Sequence, residues 1–185
     1  MPALTPDTLN TLVPSLTDFP LFVETGTYHG STIFAMEQFF DELHTIEIGD
    51  DLWRNTSNRY FGTKISFHLG DSSSVLAGLL PSLTQAAVFF LDGHWSCGDT
   101  ARGTEDVPLL KELETICAGF SPAALIIIDD LRLFGQGSHS DEPVDWTSIT
   151  IDAIRAIVGS RLEELREVHV ADKLLLSLVP RNAVV

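Results

Sequence analysis

The chain has 185 residues, 44% of them hydrophobic, with eleven Phe and three Trp, a composition that fits one well-buried globular unit rather than a disordered or fibrous chain. Twenty-six acidic against eleven basic residues give a formal charge of −15, which opposes binding to nucleic acid or anionic membrane; a solubility adaptation reads equally well. No apolar run approaches a bilayer span, and Cys97 and Cys117 lack metal-type spacing, so no membrane anchor, disulfide framework or zinc knuckle is expected.

Residues 1–18 read as an N-terminal helix or cap, with Thr5-Pro6 as its start signal, and residues 19–185 as a single ligand-binding domain. The opening residues lack a basic stretch followed by an apolar core, so no secretory signal is expected and the default location is cytoplasmic. Phe19 to Val23 is an apolar strand, and it leads into Glu24-Thr25-Gly26-Thr27-Tyr28-His29-Gly30-Ser31-Thr32, a strand-to-helix turn. There Gly26 and Gly30 permit positive φ or close backbone approach, and the helix starting near Gly30 aims unpaired N–H groups at whatever lies above. Glu24 would repel a pyrophosphate but suits a cationic amino group. Ile33, Met36 and Phe40 then share a helix face.

Further strands follow, each ending in an acidic residue: Leu43 to Ile46 before Glu47, Ile65 to Leu69 before Gly70-Asp71, Val88 to Leu91 before Asp92, and Leu125 to Ile128 before Asp129-Asp130. Helical periodicity appears at Leu109, Leu113, Ile116 and Cys117, and again at Ile151, Ile154, Ile157 and Val158. Alternating strands and crossover helices specify a doubly wound α/β fold with a mostly parallel sheet. Leu162 to Val170 and Lys173 to Val179 are two extended segments joined only by Ala171-Asp172, too short for a crossover, so an antiparallel strand should finish a seven-stranded sheet. Two stretches read as long loops, Gly93 to Asp106 and Arg132 to Trp146.

Ligands of open α/β sheets bind beyond the carboxyl ends of the strands. Any one acidic residue there is ordinarily a polar loop residue or a helix cap; five along one edge predict a rim that hydrogen-bonds ligand hydroxyl and amino groups, and that can hold a cation.

With these residues assembled, the chain resembles the class I S-adenosyl-L-methionine (SAM)-dependent methyltransferases over roughly Phe19 to Pro180. It is most similar to small stand-alone bacterial members with strands ending "VETGTYHGST" and "LDGHWS". The resemblance implies SAM as cosubstrate. Glu24 would lie near the methionine amino group, with Thr25, Gly26, Thr27, Tyr28, Gly30, Ser31 and Thr32 supporting methionine and ribose. Glu47 would accept from the ribose hydroxyls, Ile48 would pack on adenine, Gly70, Asp71 and Ser72 would meet its amino group, and Asp92 would stand beside the methyl-transfer centre.

"LDGHW" and "IIIDD" further resemble the metal-dependent catechol-type and macrocin-type O-methyltransferases, which implies Asp92, Asp129 and Asp130 as ligands of Mg²⁺, or of Mn²⁺ or Ca²⁺. The pair is Asp-Asp where the catechol type has Asp-Asn, and the lysine base of those enzymes has no counterpart, since Ser96 follows Trp95. Asp129 or Asp130 could equally cap the next segment. His94 fits a general base, a metal ligand or a structural hydrogen bond. His29 is read as a cover for the pocket. Trp95 reads as a wall of the substrate pocket or as packing. Arg102, in a loop with two glycines, reads either as binding an acceptor carboxylate or phosphate, or as pairing with Asp99 or Asp106.

The leading function is methyl transfer to a small polar acceptor, most simply at oxygen, with no nucleic-acid or membrane partner. Acceptor recognition would fall to the two long loops, or to a second subunit of a homodimer. An NAD(P)-dependent oxidoreductase or epimerase would share the architecture, but Gly26-x-x-x-Gly30 lacks the dinucleotide spacing. A module that binds SAM or a nucleoside without transfer is the third reading.

Overall fold

The computed structural model describes residues 4–13, 15–98, 100–140 and 143–181. Seven strands form one sheet in the order β3-β2-β1-β4-β5-β7-β6. They are β1 (Leu21–Thr25), β2 (Glu42–Glu47), β3 (Ile65–Leu69), β4 (Ala87–Leu91), β5 (Ala124–Ile128), β6 (Leu162–Val168) and β7 (Lys173–Leu178). The first five run parallel, and β7 inserts antiparallel between β5 and β6. The chain builds outward from β1 to β3 and then returns to start β4 on the other side of β1. That reversal opens a crevice above the β1 and β4 ends, the place where such sheets take ligands.

The sheet is covered on both faces, and the period-two alternation of its strands sorts the core. Leu21 and Val23, Phe89 and Leu91, and Ile126 and Ile128 face one cluster, where they meet Leu76 and Leu80, Leu113 and Ile116, and Ile154 and Val158. These come from α4 (Ser72–Leu79) and the turn after it, α5 (Leu109–Gly119) and α6 (Ile151–Val158). Phe22, Val88, Phe90 and Ile127 face the other cluster, with Leu9 and Leu12 of α1 (Pro6–Leu12) and Ile33 and Met36 of α2 (Ser31–Met36). Each fully buried Phe or Ile contributes about 1.5–3 kcal/mol, so these faces fix the strand register that aligns the site.

Three expectations shift. Strand β1 begins at Leu21 and runs through Thr25, so Glu24 lies inside the strand opposite Thr45 and Phe90 instead of in the turn. Pro20 has no N–H to give to the ladder, and Gly26 at φ 83 ends it. Helix α2 stops at Met36, and Phe40 is buried from the turn beyond it. Strand β6 stops at Val168, followed by a 3₁₀ turn at His169–Ala171. Two crossover helices also appear that periodicity did not mark: α3 (Asp50–Ser57) and α4.

Glu112 of α5 is 1% exposed, and its Oε1 has no hydrogen-bond partner among the described residues. It lies directly under Gly93 of the β4 turn, 3.0 Å from where a Cβ there would sit. Burial pushes its carboxyl up to about 7, from 4.5. Because the folded pKa is the higher one, the native state keeps a proton that the unfolded chain loses between pH 4.5 and 7, so stability falls as pH rises through that window. The loss is about 3 kcal/mol. Glu112→Gln should therefore flatten the pH dependence of the urea midpoint and stabilise the protein at pH 8 relative to wild type; equal slopes for the two proteins would remove Glu112 from this account.

Candidate active site

The ends of β1, β2, β3, β4 and β5 surround a cleft of about 780 Å³. Its floor is the turn after β1. Gly26 N–H and Thr27 N–H both reach the Ile46 carbonyl, at 3.0 and 3.3 Å, which ties this turn to the end of β2. Asp92 N–H donates to Thr25 O at 3.2 Å, and a Cβ on Gly26 would stand 2.2 Å from the Asp92 carbonyl oxygen. Only glycine fits where these two turns meet.

Inside this frame the acidic side chains take different partners. Glu24 is 1% exposed and accepts a 2.6 Å bond from Thr45 Oγ1, which in turn lies 2.6 Å from Thr27 Oγ1. Burial, offset in part by Thr45, pushes its carboxyl up to about 8. Glu47 accepts from two backbone amides, Tyr28 N–H and Gly49 N–H, each at 2.8 Å, through different oxygens. Asp71 uses Oδ1 to cap α4, accepting from Ser73 Oγ at 2.6 Å and from Ser74 N–H at 3.1 Å. The Ser73 bond first, and the Ser74 contacts after it, hold it below the usual carboxylate range.

At the other end of the cleft, His94 Nδ1 lies 3.4 Å from Asp130 Oδ2 and 3.7 Å from Asp92 Oδ1, with its ring edge-on to Trp146 at 5.0 Å. These three residues bring one ligand atom each within 4.8 Å of one another. Asp129 is engaged elsewhere: Lys173 Nζ, 5% exposed, sits 2.5 Å from its Oδ1. Asp130, in the left-handed conformation at φ 58, pairs with Arg132, which also reaches Asp172. Asp92 is raised well above its ordinary value by burial, then by the nearby charges of Asp129, Asp130 and Glu24, with Lys173 opposing. Asp129 is likewise raised by burial against the pull of Lys173.

Ser96 to Gly98, with Thr100, Ala101, Gly103 and Glu105, roof the cleft. Trp95 N–H donates to Asp106 O at 2.8 Å, closing the segment at its base. Ala101 approaches Gly49, and Gly103 approaches the Ile48 side chain. Arg102 does not line the cleft: it makes two bonds to Asp106, at 2.6 and 2.7 Å, and its guanidinium lies over the Trp95 ring, 4.4 Å from the centroid. This is the loop-ordering arrangement, and Asp99, the other expected partner, lies outside the described residues.

Of the residues singled out from sequence, Glu24, Gly26, Thr27, Tyr28, His29, Ser31, Thr32, Glu47, Ile48, Gly70, Asp71, Ser72, Asp92, His94, Trp95, Asp129 and Asp130 all border the cleft. Thr25 lies beneath it, fully buried, and Gly30 turns toward Thr56 and Phe34. Sequence reasoning missed Leu4, Thr5 and Pro6, which close one side, and Lys173 and Arg132 behind the Asp pair. Lys173 had a readable signal: it opens a buried strand that runs antiparallel, so its start lies at the same edge as the parallel strand ends.

No protein-family model matches the chain, and no curated protein matches it in sequence. Solved structures do. A protein classed as a caffeoyl-CoA O-methyltransferase from Staphylococcus aureus aligns with TM-score 0.66 and 14% identity, over 97% of this chain and 84% of that one. One classed as an rRNA methylase from Clostridium thermocellum gives 0.66 and 9%, over 97% and 99%. The O-methyltransferase TomG from Streptomyces achromogenes, solved with SAM, gives 0.61 and 16%, over 93% and 78%. The chain has the Rossmann-like fold of the class I methyltransferases. At these identities the likeness is one of fold.

On this methyltransferase fold the contact between the β1 and β4 turns is the tightest constraint on the cleft. Gly26→Ala adds a methyl group that meets the Asp92 carbonyl and a side chain at φ 83. It should destabilise the protein by about 2 kcal/mol or more. A urea midpoint within error of wild type would show that the two turns are free to separate.

Proposed function

We propose that the protein is a SAM-dependent methyltransferase acting on a small polar acceptor, with oxygen as the receiving atom. The observation that carries this reading is the acidic cleft at the β1/β4 crevice, floored by a Gly26-x-x-x-Gly30 turn and flanked by Glu47, whose carboxylate is held by two backbone amides. SAM, when bound, supplies an electrophilic methyl group on a sulfonium.

Glu47 is suited to a ribose diol. Each of its oxygens accepts one backbone amide, which orients the carboxylate and leaves each a lone pair for a ligand hydroxyl. Ile48, with Gly103 of the roof above it, offers apolar surface for adenine. Asp71 and Ser72 stand where its amino group would lie, and Asp71 keeps Oδ2 for that purpose while Oδ1 caps α4. Glu24, buried behind the turn, answers the methionine amino group.

On the acceptor side His94 serves as base. Asp130 behind Nδ1 favours the tautomer that leaves Nε2 open to take the hydroxyl proton. The acceptor oxygen forms the new C–O bond, the S–C electron pair stays on sulfur, and the proton passes to His94. Positioning, and exclusion of water by the roof, supply the catalysis. The overall charge of −15 favours a small molecule over RNA.

A second reading of the acceptor side rests on Asp92, His94 and Asp130, whose nitrogen and two oxygens fit a divalent cation such as Mn²⁺ or Mg²⁺. Asp129 would not join them while it holds Lys173. Such an ion would polarise the acceptor oxygen. Calorimetry with MnCl₂ and MgCl₂ decides: Asp130→Asn should abolish any binding seen, and full turnover in EDTA sets this reading aside.

Glu24 gives the cofactor assignment its own test. With its carboxyl near 8 it is protonated in the empty protein at pH 7, and a cationic amino group beside it would expel the proton. SAM binding at pH 7 should release close to one proton, read from binding enthalpies in buffers of different ionisation heat, and affinity should rise with pH toward 8. Glu24→Gln should reduce that release. Tight binding of NAD instead of SAM or S-adenosylhomocysteine would point to the oxidoreductase.

A further inference from the structure

Among the described residues, seven carboxylates wall the cleft, and neither a lysine nor an arginine borders it. Three of the seven, Glu24, Glu47 and Asp71, surround the proposed cofactor end; Asp92, Asp129 and Asp130 belong to the acceptor end, and Glu105 comes from the segment beside Gly103 and Ile48. All eleven Lys and Arg lie among the described residues.

The three cations nearest the acceptor end are already engaged. Lys173 is 2.5 Å from Asp129, Arg132 is shared between Asp130 and Asp172, and Arg102 is held by Asp106 through two bonds. An acceptor carboxylate or phosphate could recruit one of them only by breaking an existing pair, and for Lys173 or Asp130 that would strand a buried charge. Asp92 differs from its neighbours. It borders the cleft, accepts no hydrogen bond from any described residue, and makes its one ion-pair contact among them with His94, at 3.7 Å, although the charges of Asp129, Asp130, Glu24 and Lys173 also reach it. Its carboxyl faces the ligand space, and neither a lysine nor an arginine of the described residues is paired with it.

We propose that the methyl acceptor is a small molecule bearing both a hydroxyl and an ammonium group, with the ammonium set against Asp92, and bearing no carboxylate or phosphate. This rests on the methyltransferase reading of the same cleft. The hydroxyl takes the methyl and gives its proton to His94, while the ammonium stays charged and serves only for binding. A charge-assisted hydrogen bond into a cleft of this polarity discriminates ammonium from a neutral isostere by roughly tenfold or more.

The test uses the full chain loaded with S-adenosylhomocysteine, and acceptor panels matched in hydroxyls but differing in charge: ethanolamine, ethylene glycol and glycolate; glucosamine, glucose and glucuronate; dopamine, 4-methylcatechol and 3,4-dihydroxybenzoate. Binding is read by ligand-observed NMR, and transfer with labelled SAM, both in EDTA. The expected result is that the ammonium member leads in at least one panel by roughly tenfold and that anionic members are the weakest. Asp92→Asn, checked for fold by circular dichroism, should bring ammonium and neutral members to similar affinity. Preference for neutral or anionic members, or no response from any ammonium member, overturns the proposal. So does a response that appears only when Mg²⁺ is added, which gives the carboxylates to a metal. Failure of S-adenosylhomocysteine to bind is a separate result: it rejects the methyltransferase reading, and the charge preference is then read on the same panels with the unloaded protein.

Discussion

Everything at this site depends on how closely the turn after β1 is laid against the turn after β4. The Asp92 amide bonds to Thr25 O, and the Asp92 carbonyl passes so near Gly26 that no side chain fits between them. That contact sets Asp92 beside Gly26, two residues beyond the Glu24–Phe90 pair on the adjacent strand, and the Ile46 carbonyl, shared by Gly26 and Thr27, brings Glu47 alongside. The two core faces hold β1, β4 and β5 in register, so a one-residue slip would reverse every strand side chain and scatter the acidic rim.

The second constraint is electrostatic. Burial first, and neighbouring carboxylates after it, raise the cost of ionising Glu24, Asp92 and Asp129, which all sit above their ordinary values. The protein relieves part of this internally. Lys173 is spent on Asp129 and Arg132 on Asp130, both from outside the cleft, so the relief comes without placing a cation in the ligand space. Glu112 extends the same strain beneath the floor, where its uncompensated oxygen lies under the Gly93 turn.

Much of this was legible in the sequence because short apolar runs ending in acidic residues are a local pattern. Strand β3 falls where the residues place it, and the carboxyl ends of β4 and β5 are correct because the apolar run itself sets them, whereas β2 runs one residue past its apolar run to take in Glu47. What was not legible depends on distant neighbours. Lys173 meets Asp129 only because β7 inserts beside β5, a pairing 44 residues apart that local periodicity does not specify. Helices α3 and α4 escaped notice for a different reason: one is DDLWRNTS and the other begins with three serines, so neither carries a long apolar stripe. Glu112 looks like an exposed polar residue between Leu109, Leu113 and Ile116, and only the approach of the β4 turn buries it. Arg102 offered an anion contact or a loop tie with equal plausibility, and the Trp95 ring together with Asp106 supplies the tie.

These features together define what kind of occupant the cleft can accept without rearrangement. A neutral molecule leaves the raised carboxyl groups protonated, where they act as hydrogen-bond donors as well as acceptors. An anion meets walls with no cation to answer it. A cation shifts the balance the other way: it lowers the cost of ionising the groups around it, so its binding is linked to proton release and strengthens as pH rises. A sulfonium cofactor with an amino group is such a cation, and the carboxylates of the acceptor end extend the same polarity beyond the space a single nucleoside would fill. The burial that makes each carboxylate reluctant to ionise is thus also what makes the cleft selective, because the strongest relief comes from a ligand that carries the missing positive charge with it.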